Sequence, residues 1–392
     1  MELHKWQTES LSMFKKNKHL IVNACTGAGK SLMAIEAIKH VREVDPEFNI
    51  LIVAPKIVII ETVWFKELNK AGFGPNIVGL YYGYAHEFSK ITLTTIASVG
   101  RLDMRIFDMI IVDEIHNMMS PNLIKLLKKP FEYKLGLSAS IKHIDQRHWK
   151  LIEYFNYNVY EYGMREAIKD GIINKFNFYS VGVTITDPAV RDKYDAIDIE
   201  LKQHLMNCGG FAKVMRLSKD NPIKKIVLGL FTQRNDIVNN YIRKIDVVCD
   251  IVGKNTDKKI LLFSQYNKIN RGIYWALKEK VLRSEIIDTH VKQGMRDHFL
   301  KEFEMGEYNV LLSSRIFEEG YNLPQIDCAI FLSSNSTSRQ MIQRLGRILR
   351  KKVLTSDAYY IYCKDTFEED YAVRAREFVQ DVAEKSEEIV YG

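Results

Sequence analysis

The chain contains no run of eighteen or so uncharged apolar residues, so nothing in it is expected to span a bilayer. Its first residues, MELHKWQTESLSMF, put polar side chains where a secretory leader needs an apolar stretch, so export is not expected. No CxxC pair occurs among the five cysteines, Cys25, Cys208, Cys249, Cys328 and Cys363, and none stands beside a histidine at metal-ligand spacing. A structural zinc is therefore not expected, and scattered thiols in odd number suit a reducing compartment, where they serve as buried or half-buried packing. Internal repeats and low-complexity tracts are also missing. What remains is the expectation of a soluble protein of the cytoplasm.

At 392 residues the chain is too long for one ordinary domain and suits two. A hydrophobic fraction of 46% and a charged fraction of 27% are those of a folded protein. The net charge of +7 permits a polyanionic partner without requiring one. The runs at 19–24, 49–55, 90–97, 109–114 and 134–140 each read as a buried strand, and helical patterns alternate with them. An α/β doubly wound lobe over residues 1–148 follows. Residues 149–258 read as the start of a second lobe with a helical segment, after one strand at 177–185. A second α/β pattern covers 259–392, with strands at 259–265, 284–290, 309–314, 328–334 and 358–363 and a helix at the C-terminus.

Between the first strand and the helix after it stands Ala24-Cys25-Thr26-Gly27-Ala28-Gly29-Lys30-Ser31. A phosphate cradle needs main-chain N–H groups turned inward, which glycine permits, and a helix N-terminus adds partial positive charge. Lys30 can reach the terminal phosphates of a nucleotide, and the Ser31 hydroxyl can ligate Mg2+. Ala24 stands where the strict pattern has glycine, a small departure. Asp113-Glu114-Ile115-His116 follows the apolar run MIIV, so its carboxylates emerge at the carboxyl end of a buried strand. Ligands bind at that edge of an open parallel sheet. Asp113 suits Mg2+, and Glu114 suits the orientation and deprotonation of an attacking water.

With those two motifs placed, the chain resembles the superfamily 2 helicases over most of its length. ACTGAGKS resembles motif I, LIVAPK motif Ia, TTIAS motif Ib and DEIH the DExH form of motif II. LSAS (Ser138-Ala139-Ser140) resembles motif III, one methyl short of the commoner form. ILLFSQ resembles motif IV, EEGYNLP motif V and QRLGRILR motif VI, all in the family's order. The resemblance implies two tandem RecA-like lobes with parallel sheets and an ATP site in the cleft between them. It further implies that Gln343 touches the γ-phosphate or the water, that Arg347 and Arg350 act as arginine fingers, and that Gln7 reads the adenine edge. ATP and Mg2+ are the cofactors it implies.

Motifs Ia, Ib, IV and V contact the sugar–phosphate backbone in this superfamily. By position the contacts fall on Pro55, Lys56, Thr95, Ser98, Gln265, Gly320 and Asn322. Small hydroxyls and main-chain N–H groups at a phosphate carry no base information, so sequence-independent binding is expected. Tyr81, Tyr82 and Tyr84 cluster in a glycine-flanked stretch that is expected to fold against the lobe rather than to stack bases.

QRLGRILRKK and the helical middle segment resemble the XPB-like branch, whose relatives include the phage branch-migration helicase UvsW. Motif Ia lacks the continuation typical of DEAD-box RNA helicases. The resemblance thus implies an ATP-dependent helicase or translocase that remodels duplex or branched DNA in recombination, repair or replication. Little sequence lies outside the helicase motifs, which suits a minimal motor, of viral or phage type among others, or one whose protein partners choose the substrate. An RNA helicase, a restriction-type motor subunit and a nucleotide-gated clamp are the alternatives.

Overall fold

The computed structural model describes residues 2–392 apart from 120, 125, 130, 140–146, 281, 289, 314–324 and 333–354. The described residues fall into two compact units, 2–174 and 175–392.

The first unit contains eight strands: β1 (His19–Ala24), β2 (Ile50–Ala54), β3 (Val78–Tyr82), β4 (Ala85–His86), β5 (Ile91–Thr95), β6 (Met109–Val112), β7 (Tyr133–Ser138) and β8 (Val159–Tyr162). They form one sheet in the order β4-β3-β5-β2-β6-β7-β1-β8. Every neighbouring pair is parallel except the β3–β4 hairpin. ILIVA of β2 and MIIV of β6 are buried at every position, as a strand covered on both faces must be. The crossover helix Lys30–Val44 buries Met33, Ala34, Ile35, Ala37, Ile38 and Val41.

This unit ends at Asn174, past the boundary expected at 148. The cause is β8, which pairs in parallel with β1, aligning Val22 with Tyr160 and Ala24 with Tyr162.

The second unit contains β9 (Phe176–Val183), β10 (Ile260–Phe263), β11 (Ser284–Ile287), β12 (Val310–Ser313), β13 (Cys328–Leu332), β14 (Ser356–Cys363) and β15 (Lys385–Tyr391). Among the described residues they make a parallel sheet in the order β11-β12-β10-β13-β14-β9-β15. Between β9 and β10 a helical segment closes on its own small core of Ile197, Leu201, Val214, Val227 and Leu230. Two of its helices, Pro188–Asn207 and Pro222–Asn239, open on Asp187-Pro188 and Asn221-Pro222. In each, the cap side chain accepts main-chain N–H groups while proline takes the first-turn position that needs no donor. The C-terminal helix, Phe367–Val379, is followed by the edge strand β15, which the expectation of a C-terminal helix did not include.

Candidate nucleotide and nucleic-acid site

Because β6, β7 and β1 are parallel neighbours, their carboxyl ends deliver Val112, Ser138 and Ala24 to one edge of the sheet. The phosphate loop, the DEIH turn and the start of the LSAS motif therefore converge there, although they are far apart in sequence. This is the edge at which open α/β sheets bind ligands.

In the loop, Gly27 (φ 87°) and Gly29 (φ 92°) take left-handed conformations that a side chain would strain. The helix that follows begins at Lys30 with no side-chain cap and no acidic residue in its first turn, which leaves its N-terminal end suited to an anion. Lys30 Nζ donates to the carbonyls of Ala24 (2.8 Å) and Cys25 (3.3 Å), so the ammonium is held over the loop. Thr26 Oγ1 is buried without a hydrogen-bond partner. Burial pushes the Cys25 thiol up to about 11 against the pull of Lys30, which keeps it protonated and unreactive.

Gln7, on the helix Lys5–Asn17, is fully buried against this loop. Its Nε2 donates to the Gly29 carbonyl (2.9 Å), and its Oε1 accepts the His4 N–H (2.8 Å). Both ends of the amide are thus engaged by the protein's own main chain. A Cβ on Gly29 would lie 2.8 Å from that Nε2, so glycine is needed there for closeness as well as for φ.

Across the edge, Asp113 Oδ1 accepts the Glu114 N–H (3.0 Å), and Oδ2 accepts the indole N–H of Trp64 (3.0 Å). Glu114 itself has φ 48°, a left-handed conformation rare for a side-chain-bearing residue. Its carboxylate lies 3.3 Å from His116 Nδ1, and that nitrogen lies 3.2 Å from Ser138 Oγ. The histidine therefore links the carboxylate turn to the end of β7. The turn can sit this close because residue 136 is glycine; a Cβ there would approach Ile115 Cδ1 to 2.6 Å.

These residues fit a nucleoside triphosphate with Mg2+. The Ser31 hydroxyl and Asp113 carboxylate are the hard oxygen donors that ion prefers, and Lys30 and the helix N-terminus suit phosphate. Gln343, Arg347, Arg350, Gly320, Asn322 and Ser140 lie outside the described residues.

Of the expected nucleic-acid contacts, Pro55 is half-buried and Lys56 exposed at the end of β2. Thr95 and Ser98 are buried, and the Thr95 hydroxyl donates to that of Ser98 (3.2 Å). Gln265 follows β10 and lines a cavity of about 430 Å³ with Asp236, Asn240, Tyr266, Asn267 and Lys268. Tyr82 and Tyr84 each donate a hydroxyl hydrogen bond to Glu61 (3.1 and 3.2 Å), which ties the β3–β4 hairpin to the segment after Lys56. Trp64 went unnoticed in the sequence, where one tryptophan at helical spacing signals only core.

Residues 1–143 match the family described as type III restriction enzyme, res subunit, and residues 243–352 match the helicase conserved C-terminal domain. The chain is 28% identical to the DNA 3'-5' translocase XPB2 of Sulfurisphaera tokodaii, over 96% of this chain and 85% of that protein. It is 24% identical to the DNA 3'-5' helicase XPB of Kineococcus radiotolerans, over 97% of this chain but only 63% of the longer relative. Among solved structures, the Pyrococcus furiosus Hef helicase domain superposes with a TM-score of 0.65 at 17% identity, covering 95% of this chain and 98% of that one. Saccharomyces cerevisiae Dbp5 bound to RNA and ADP BeF3 gives 0.64 at 16% identity, covering 98% and 89%. At such identities the structural likeness shows the fold, two RecA-like parallel-sheet units, and nothing finer. Taken with that fold, the two helicase-type family matches and the XPB-type relatives support a superfamily 2 helicase of the XPB-like branch.

Proposed function

We propose that the chain is an ATP-driven motor that moves along, unwinds or remodels duplex or branched DNA, with the 3'-to-5' polarity named for its XPB-type relatives. The observation that carries this reading is the convergence of Lys30, Asp113 and Glu114 on one sheet edge. In this reading Lys30 and the first turn of its helix bind the phosphates, and Glu114 orients and deprotonates the attacking water. Ser31 and Asp113 would hold Mg2+, which would neutralise phosphate charge. Gln343, Arg347 and Arg350 are assigned to the γ-phosphate and the transition-state charge by their place in motif VI, since phosphoryl transfer is governed by positioning and electrostatic stabilisation. Gln7 fixes the loop from behind.

DNA is engaged through its backbone by Pro55, Lys56, Gln265, Gly320 and Asn322. At Thr95 and Ser98 the paired, buried hydroxyls leave the main chain as the contacting group. A role in repair, recombination or fork remodelling, with protein partners supplying substrate choice, fits such sequence-independent contacts.

Steady-state hydrolysis of Mg-ATP, alone and with single-stranded, duplex and branched DNA and with RNA, tests the proposal beside Lys30→Ala. Stimulation by duplex or branched DNA that the variant loses is the expected result. Stimulation by RNA alone would replace DNA with RNA as substrate, and hydrolysis indifferent to every nucleic acid would refute the motor.

A further inference from the structure

Residues 57–70 form one continuous helix that changes pitch along its length. Ile57–Ile59 is α-helical, Ile60–Trp64 is π-helical and Phe65–Lys70 is α-helical again. The Phe65 N–H donates to the Ile60 carbonyl five residues back, which puts one extra residue into the turn. Such π turns are rare, occur mostly as single turns inside α-helices and are frequent at functional sites. The extra residue offsets everything after Ile60 by about one position, roughly 100° of rotation about the helix axis.

The two ends of the first stretch meet different things. The helix starts immediately after Lys56, the expected backbone contact, and Glu61 on the π turn receives the hydroxyls of Tyr82 and Tyr84. Trp64 closes the π turn, is fully buried, and donates its indole N–H to Asp113 Oδ2 at 3.0 Å. An indole nitrogen only donates, so it can neither compete as a metal ligand nor take the water's proton. Its bond to a carboxylate is charge-assisted and fixes the rotation of that group. The distance from Lys56 to Trp64 along the helix is about 12 Å, so the expected strand contact and the Asp113 carboxylate are joined by little more than two helical turns.

We propose that Trp64 is a positioning residue that couples nucleic-acid engagement at Pro55–Lys56 to the orientation of Asp113, and hence to stimulated hydrolysis. The inference rests on the reading of the chain as a nucleic-acid-stimulated ATPase. The π turn closes on Trp64 itself, and its five-residue bonding competes with ordinary four-residue bonding, so a shift that favours one form over the other turns the residue that holds Asp113. Bonds that orient a metal-binding carboxylate typically carry ten- to a hundredfold of activity or affinity, roughly the range expected here.

The test uses the full chain in two ways. In wild-type protein with 15N-labelled indoles, Trp64 is recognisable without assignment by sequence. Trp149 and Trp275 are exposed, and the buried Trp6 Nε1 has no hydrogen-bond partner, so the slowly exchanging, hydrogen-bonded signal belongs to Trp64. Adding duplex DNA without nucleotide should move that signal. In Trp64→Phe, which keeps an aromatic ring and loses the donor, the ratio of DNA-stimulated to basal hydrolysis should fall by about tenfold or more. Duplex affinity by fluorescence anisotropy should stay within about twofold, because the indole is remote from the strand. An indole signal unmoved by saturating duplex overturns the coupling, as does a folded variant with the wild-type ratio. Should the variant fail to fold, the wild-type spectrum decides alone. A wild-type protein that no nucleic acid stimulates would sink the functional reading first and the coupling with it.

Discussion

Gln7 joins the amino-terminal helix to the phosphate loop, and truncating it separates two roles that a glutamine in this place can play. Gln7→Ala removes the acceptor of the His4 N–H and the donor to the Gly29 carbonyl. A buried polar group left unsatisfied costs about 1–3 kcal/mol. Both His4 and Gly29 border solvent, so water can replace part of the loss and the cost falls to about 1–2 kcal/mol. A loop released by that amount must be reordered when nucleotide binds, which weakens affinity by about five- to thirtyfold. Calorimetric titration with non-hydrolysable ATP and GTP analogues, beside urea denaturation, measures both quantities. If Gln7 acts by holding Gly29, the two nucleotides weaken together. If it acts by reading the adenine edge, only ATP weakens and the preference over GTP collapses. Loss for ATP alone would refute the loop-holding argument, and unchanged affinity in a folded variant would refute both.

Glu114→Gln should leave ATP binding intact and abolish turnover, since the amide keeps the size but cannot accept the water's proton; hydrolysis near the wild-type rate in a single-turnover assay would remove Glu114 from the role of base. Arg350→Ala should spare DNA affinity while slowing hydrolysis by about a thousandfold or more, the scale of an arginine finger, and a rate within a few fold of wild type would contradict it. Lys244 and Glu368 form a buried ion pair (2.8 Å) between the helices Arg243–Gly253 and Phe367–Val379. Lys244→Met alone should cost about 3–5 kcal/mol by stranding the carboxylate. Adding Glu368→Gln should recover a good part of that in urea denaturation, and a double variant no more stable than the single would show the pair to be unimportant.

The parts of the fold that could be read from sequence were those in which one segment carries the whole signal. ILIVA and MIIV are apolar at every position, and a short run of that kind has few places to go but the middle of a sheet. VYEY of β8 and KSEEIVY of β15 carry no such run. They are strands because β1 and β9 offer them main-chain partners, and that information lies elsewhere in the chain. Missing β8 is what set the expected boundary at 148 rather than 174. The site divides in the same way. The phosphate loop and the DEIH turn are contiguous, so their chemistry is written in consecutive residues. The bond from Trp64 to Asp113 spans 49 positions and the contact of His116 with Ser138 spans 22, and only the folded sheet brings them together.

The same edge also carries features that lower the stability of the unit. Glu114 is held in a left-handed conformation that costs a non-glycine residue about 1–2 kcal/mol, and the Thr26 hydroxyl is buried without a partner. Gly27, Gly29 and Gly136 give up side chains that would otherwise pack, in exchange for backbone close to the loop and the carboxylate turn. A sheet selected for stability alone would have filled those positions. Strain of this size persists only where the surroundings over-determine it. Here they do: β6 and β7 fix the turn from below, Ile115 fills the space that Gly136 leaves, and His116, itself against Ser138, holds the Glu114 carboxylate from the side. The strained placement of Glu114 is therefore set in folding, which leaves Asp113, held by the indole of Trp64, as the carboxylate whose orientation can respond to a bound strand.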